Sequence, residues 1–126
     1  MVGVACRVLL VDDNQSFLDA ARLLLEREGL SVVGVASSGA QALMQVEQLE
    51  PDLVLVDINL GDESGFEVVR SLLNGHHDGA MRVILISTHA ETDLADLIAE
   101  SPATGFLAKS ELSAAAIQRI LEGHPR

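Results

Sequence analysis

The sequence predicts an α/β fold, a doubly wound parallel sheet with helices on both faces, and three observations lead there. Five short apolar runs rich in Val, Ile and Leu recur along the 126 residues. Most of them are continuous rather than alternating, as strands buried on both faces require. A segment with helical signals follows each run, and strict β-α alternation is the pattern of parallel strands joined by helical crossovers. The length suits one domain spanning residues 1–126, enough to bury roughly two-thirds of the unfolded surface around one core.

The first run is "RVLLV", ending at Val11. Just before it stands Cys6, the sole cysteine, which excludes an internal disulfide and reads as a small apolar residue leading into the strand. A first helix is expected over about Gln15 to Glu28, with Phe17, Ala21, Leu24 and Leu25 on one stripe, and it stops at Gly29. The second run is "SVVGVA". The helix after it opens at Ser38 with Gln41 three residues on, a capping-box pattern, and closes before Pro51. The third run, "DLVLV", precedes a helix from about Gly65 to Leu73 that ends in "NGHHDG". His76 and His77 in that turn read as solvated loop residues, because no further metal ligand stands at a useful spacing. "RVILIS" is the fourth run, followed by a short acidic helix from about Thr92 to Glu100 that stops at Ser101-Pro102. The fifth run is "GFLA", and its helix, about Glu111 to Glu122, ends at Gly123 before Pro125.

Charge narrows the function classes. Eight basic residues against nineteen acidic ones leave a formal charge of −11, which repels nucleic-acid backbones. With 2% aromatic residues there is almost nothing for bases to stack on, so direct DNA or RNA binding is not expected. A divalent cation or a basic partner face fits better. No apolar run approaches the length of a membrane span, and "MVGVACR" lacks the charged start and apolar stretch of a signal peptide, so a soluble cytoplasmic protein is expected.

In open parallel sheets, ligands bind beyond the carboxyl ends of the strands. Here the first strand ends in Asp12-Asp13, the third in Asp57, the fourth in Ser87-Thr88 and the fifth in Lys109. Singly, each has a plain explanation: Asp12, Asp13 or Ser87 as a helix cap, Asp57 as the opening of a turn, Lys109 as a solvated loop residue. Together they crowd three acids on one rim, where they raise one another's pKa values or recruit a cation. Oxygen-only ligands of this kind suit Mg²⁺. With the cation bound, a carboxylate nucleophile, a hydroxyl and an ammonium are the parts that phosphoryl chemistry uses.

These residues carry a resemblance. The motifs "VDD", "LVLVDINLGDESGFEVV", "VILISTHA" and "GFLAKSEL" make the chain resemble, over nearly all its length, a receiver domain of two-component response regulators. The resemblance implies a flavodoxin-like five-stranded sheet in the order 2-1-3-4-5 with five helices. It also implies phosphoryl transfer onto Asp57 from a histidine kinase or a histidine phosphotransfer protein. By the same resemblance Asp13, Asp57 and the backbone carbonyl of Asn59 ligate Mg²⁺, with Asp12 assisting through water. Ser87 matches the switching hydroxyl, Lys109 the lysine that contacts the phosphoryl group, and Phe106 the switch aromatic, which also reads as an ordinary core residue of the fifth strand. Such a domain is not an enzyme acting on other molecules; it catalyses only its own phosphorylation and dephosphorylation. "GFLAKSEL" is similar to receivers of LuxR-type regulators, and the downstream partner is left open. No helix-turn-helix or catalytic segment follows the fifth helix in this sequence, so either a free-standing receiver or the front of a longer regulator is expected.

Four positions depart from the family's commonest pattern. Gly61 stands in place of a proline after the phosphoacceptor, which loosens the loop. Ser110 follows Lys109 where a proline on a cis bond is usual, and a cis bond before a non-proline residue costs about 2.5–4 kcal/mol. Thr88 stands where a smaller residue is commoner and His89 where the family varies; the resemblance implies that these two, with Asn59, govern access to the phosphoryl site and its lifetime. Three rival readings fit the sequence less well. An aspartyl phosphatase of the haloacid dehalogenase class uses Asp-x-Asp, whereas here the second position is Asn59. A flavin carrier needs a phosphate loop after the first strand, where "DDNQS" repels phosphate. The third is a degenerate receiver that binds partners without phosphorylation, a reading that the presence of all five key groups disfavours.

Overall fold

A computed structural model of the chain describes residues 6–75, 81–88 and 95–122. The elements run β1 (Arg7–Val11), α1 (Gln15–Arg27), β2 (Ser31–Ala36), α2 (Gly39–Leu49), β3 (Leu53–Asp57), the two-residue strands β4 (Asn59–Leu60) and β5 (Glu63–Ser64), α3 (Gly65–Gly75), β6 (Arg82–Ser87), α4 (Ala95–Glu100), β7 (Gly105–Ala108), a 3₁₀ turn (Lys109–Glu111) and α5 (Ala114–Glu122). Five strands form one parallel sheet in the order β2-β1-β3-β6-β7. This is the expected order once the short β4–β5 ladder is set aside.

Period-2 alternation along the strands sorts the core into two layers. Leu9, Val11, Val54, Val56 and Leu85 face one way, against Ala42 and Val46 of α2 and Val69 and Leu72 of α3. Leu10, Leu53, Leu55, Ile84 and Ile86 face the other, against Leu18, Ala21 and Leu25 of α1 and Ala116 and Ile117 of α5. The interiors of β1, β3 and β6 are therefore apolar at every position, which is why those runs in the sequence do not alternate.

The register aligns the strand ends. Val11 pairs Val56, Asp57 pairs Ile86, and Ser87 pairs Ala108. The residues closing β1, β3, β6 and β7 thereby share one rim.

Several boundaries differ from expectation. The fifth helix starts at Ala114 rather than Glu111, because Lys109–Glu111 close a 3₁₀ turn and the Ser113 hydroxyl accepts the Ala116 N–H at 3.0 Å, capping the helix there. At α2 the Ser38 hydroxyl accepts the Gln41 N–H at 3.2 Å as foreseen, but Gln41 Oε1 reaches back to the N–H of Ser37 at 2.8 Å and not to that of Ser38. Leu18, absent from the expected stripe of α1, is buried, whereas Phe17 and Leu24 are only half-buried. The third helix runs on to Gly75. The Lys109–Ser110 bond is trans, as is every peptide bond among the described residues. Gly61 takes φ 61°, a left-handed conformation closed to a proline ring, in the turn between β4 and β5. His76, His77, His89, Thr92, Gly123 and Pro125 lie outside the described residues.

Candidate functional site

The site forms where β1 and β3 deliver their last side chains. Asp12 follows β1 and is fully buried; its Oδ1 accepts the Asn14 N–H at 2.9 Å. Asn14 in turn caps α1, its side chain accepting the Phe17 N–H at 3.1 Å. Asp13 is exposed on the rim. Asp57 closes β3 at 6% exposure, with Oδ1 accepting the Asn59 N–H at 3.1 Å. Carboxylate oxygens of Asp12, Asp13 and Asp57 all lie within 4.8 Å of one another.

Lys109, from the end of β7, reaches into this group. Its Nζ lies 2.6 Å from Asp12 Oδ2 and 3.3 Å from Asp57 Oδ2. The contact with Asp57 is a hydrogen bond. That with Asp12 is a short ion pair, and the ammonium is the partner of the buried Asp12 Oδ2. A single ammonium faces three carboxylates, and negative charge stays in excess.

Electrostatics follow from that imbalance. Burial pushes the Asp57 carboxyl above its ordinary 3.8 and the Asp12 charge adds to this, while the Asn59 N–H and Lys109 pull the other way without cancelling it. Burial also works to lower the Lys109 pKa, but Asp12 and Asp57 outweigh it and hold the ammonium above its ordinary 10.5. A hard cation suits this donor set: three clustered carboxylates with a single ammonium among the described residues to offset them, and a desolvated Asp57.

The other expected site residues fall around this centre. Ser87 ends β6 and is buried at 1% exposure; Thr88 beside it is exposed. Asn59 is exposed and meets Asp57 through its backbone N–H. Phe106, in β7, is half-buried against the α2–α3 layer and lines a cavity with Arg119 and Ile120.

Three neighbours escaped the sequence reading. A Cβ on Gly65 would collide with the Asp57 carbonyl oxygen, so only glycine lets α3 start against the end of β3. Its signal was the Gly after "DES", which marked a helix start and nothing more. Glu63 accepts the N–H of Gly39, the first residue of α2, at 2.8 Å. The Phe17 ring stands over the Lys109 ammonium, 4.3 Å from centroid to Nζ.

Residues 8–121 match the family described as response regulator receiver domain. The chain belongs to that family. Response regulator GacA of Pseudomonas viridiflava is 33% identical to this receiver over 115 residues, covering 90% of this chain and 53% of that protein. A LuxR-family two-component response regulator from Aurantimonas sp. SI85-9A1 has a similar structure, with TM-score 0.77 at 29% identity, covering 94% of this chain and 84% of that one. A CheY-like receiver domain protein from Methanospirillum hungatei JF-1 matches with TM-score 0.77 at 25% identity, covering 95% and 94%. This receiver spans about half the length of the curated relatives it matches. Among its described residues, no helix is long and apolar enough to cross a membrane.

Proposed function

We propose that this receiver accepts a phosphoryl group on Asp57 from the phosphohistidine of a histidine kinase or histidine phosphotransfer protein, with Mg²⁺, and that the product changes its partner interactions. One observation carries the reading: Asp57, at the end of the central strand, lies between two further carboxylates and the Lys109 ammonium. An Asp57 oxygen attacks phosphorus and forms the new P–O bond. The P–N bond to the donor imidazole breaks, and the imidazole leaves with its electron pair. Lys109, 3.3 Å from Asp57 Oδ2, steadies charge on the phosphoryl oxygens, and the Ser87 hydroxyl takes another of them. Asp12, Asp13, Asp57 and the Asn59 carbonyl would hold Mg²⁺, which offsets the charge of the incoming group. Hydrolysis reverses the state: water attacks phosphorus, phosphate departs and the carboxylate returns. The reading takes residues 1–126 as a single receiver domain working in the cytoplasm, with Thr88, Asn59 and His89 governing access to the acyl phosphate.

The test is intact-protein mass spectrometry after incubation with acetyl phosphate. One phosphoryl group should be gained with Mg²⁺, and the gain should vanish in Asp57→Asn and after chelation. Labelling of Asp57→Asn at the wild-type rate, or labelling indifferent to Mg²⁺, overturns it.

A further inference from the structure

We propose that Phe17 is a positioning residue for Lys109, its ring face holding the ammonium beside the carboxylates in readiness for the phosphoryl group. The inference rests on the proposed transfer to Asp57. Lysine has a long, rotamer-rich side chain whose free motion must be restricted if its charge is to sit at a fixed point. Asp12 and Asp57 hold the ammonium from one side, at 2.6 and 3.3 Å. The ring covers another side, its centroid 4.3 Å from Nζ, well within the range at which an aromatic quadrupole attracts a cation. Little of Lys109 is left to water: its side chain is 12% exposed.

The backbone that carries the ring is tied to the buried acid through side-chain acceptors. Asp12 accepts the Asn14 N–H, and Asn14 accepts the Phe17 N–H, so the first turn of α1 is fixed relative to the buried carboxylate. Below, Phe17 packs against the apolar layer beneath α1 and α5. An aromatic face has a property that a polar side chain at this point lacks. It attracts the ammonium without accepting a hydrogen bond in competition with phosphoryl oxygens, so the ring itself has no hydrogen bond to give up when Lys109 turns toward them.

The consequence is measurable with two substitutions. Phe17→Leu keeps apolar bulk and packing but removes the quadrupole; Phe17→Tyr keeps both. In the unphosphorylated wild type and in Phe17→Tyr, the Lys109 Hε protons should be shifted upfield by the ring current, and in Phe17→Leu the shift should be gone. Stopped-flow loading from acetyl phosphate at saturating Mg²⁺ should be about 3- to 10-fold slower in Phe17→Leu, with Phe17→Tyr retaining most of the wild-type rate. Equal loading by Phe17→Leu and wild type overturns the proposal, as does an equal loss in both variants, which would mark packing as the cause. Absence of a ring-current shift on Lys109 in the wild type overturns it without reference to phosphorylation. Failure of the wild type to load at all would instead sink the transfer to Asp57, leaving the spectroscopic arm to judge Phe17.

Discussion

The Asp57 carboxylate is held in a place that its charge opposes. Burial and the neighbouring Asp12 raise its pKa from 3.8, and the attraction of Lys109 is already among the opposing causes that fall short. The folded protein therefore keeps a proton that the unfolded chain releases. Stability falls as pH rises from about 3.8 through the raised folded value, and the full penalty stands above that value. Asp57→Asn removes the penalty. Without divalent cations it should melt a few degrees higher at neutral pH, a gain on the order of 1 kcal/mol. That gain should shrink as the pH is lowered through the folded pKa. Thermal melts across the acid range check this. A gain independent of pH, or a variant less stable than wild type at neutral pH, would show that the site does not strain the fold. The same crowding suits a cation, which would bind only the folded cluster and relieve repulsion there.

At the level of elements, the loop after Asp57 is tied to α2. Glu63 in β5 accepts the N–H of Gly39 at 2.8 Å, satisfying a donor of the α2 N-terminus and placing negative charge at the positive end of the helix. Glu63→Ala should lower stability by about 1 kcal/mol, and Glu63→Gln by less, because the amide oxygen still accepts. Urea unfolding reads this as a lower midpoint at unchanged m-value. A midpoint within error of wild type would mean that water replaces the contact at no cost. No local signal announced this clasp, since the two residues lie in different segments and meet only through the fold. The long strands were legible because burial on both faces leaves an uninterrupted apolar run, as in "RVLLV" and "RVILIS". The helix stops were legible too, through Gly29 and Pro51. By contrast the β4–β5 ladder pairs only Asn59 with Ser64 and Leu60 with Glu63, too short for any period to show. The start of α5 was misread because Glu111 fits a first turn as well as Ser113 fits a cap. The acid cluster was legible because each member ends a strand, whereas the role of Phe17 depends on a lysine that the sheet order alone brings to it.

Across the whole molecule, the proposed switch would link the site to a distant face through the edge of the sheet. Ser87 at the end of β6 pairs with Ala108, and Leu85 pairs with Phe106, so the hydroxyl and the aromatic ring lie on adjoining strands. Phe106 is half-buried, and beside it is a cavity of about 480 Å³ lined by Glu111, Ala116, Arg119 and Ile120. Closely packed cores change between discrete arrangements rather than deforming gradually, and the half-buried ring on the edge strand is the element proposed to have two. A charge-assisted hydrogen bond from Ser87 to a phosphoryl oxygen, made in one arrangement only, contributes about 1.5–3 kcal/mol. That shifts the ratio of the two arrangements roughly 10- to 150-fold, enough to convert a minor state into the major one. Beryllofluoride, which imitates the phosphoryl group, should therefore move amide chemical shifts in β7, α4 and α5 as well as at Asp57, and Ser87→Ala should confine the changes to the rim. Shifts restricted to the rim in the wild type would leave this receiver a phosphoryl carrier without a switch through Phe106. Equally broad shifts in Ser87→Ala would mean that the signal leaves the site by another route, with the loop clasped by Glu63 to α2 the next element to probe.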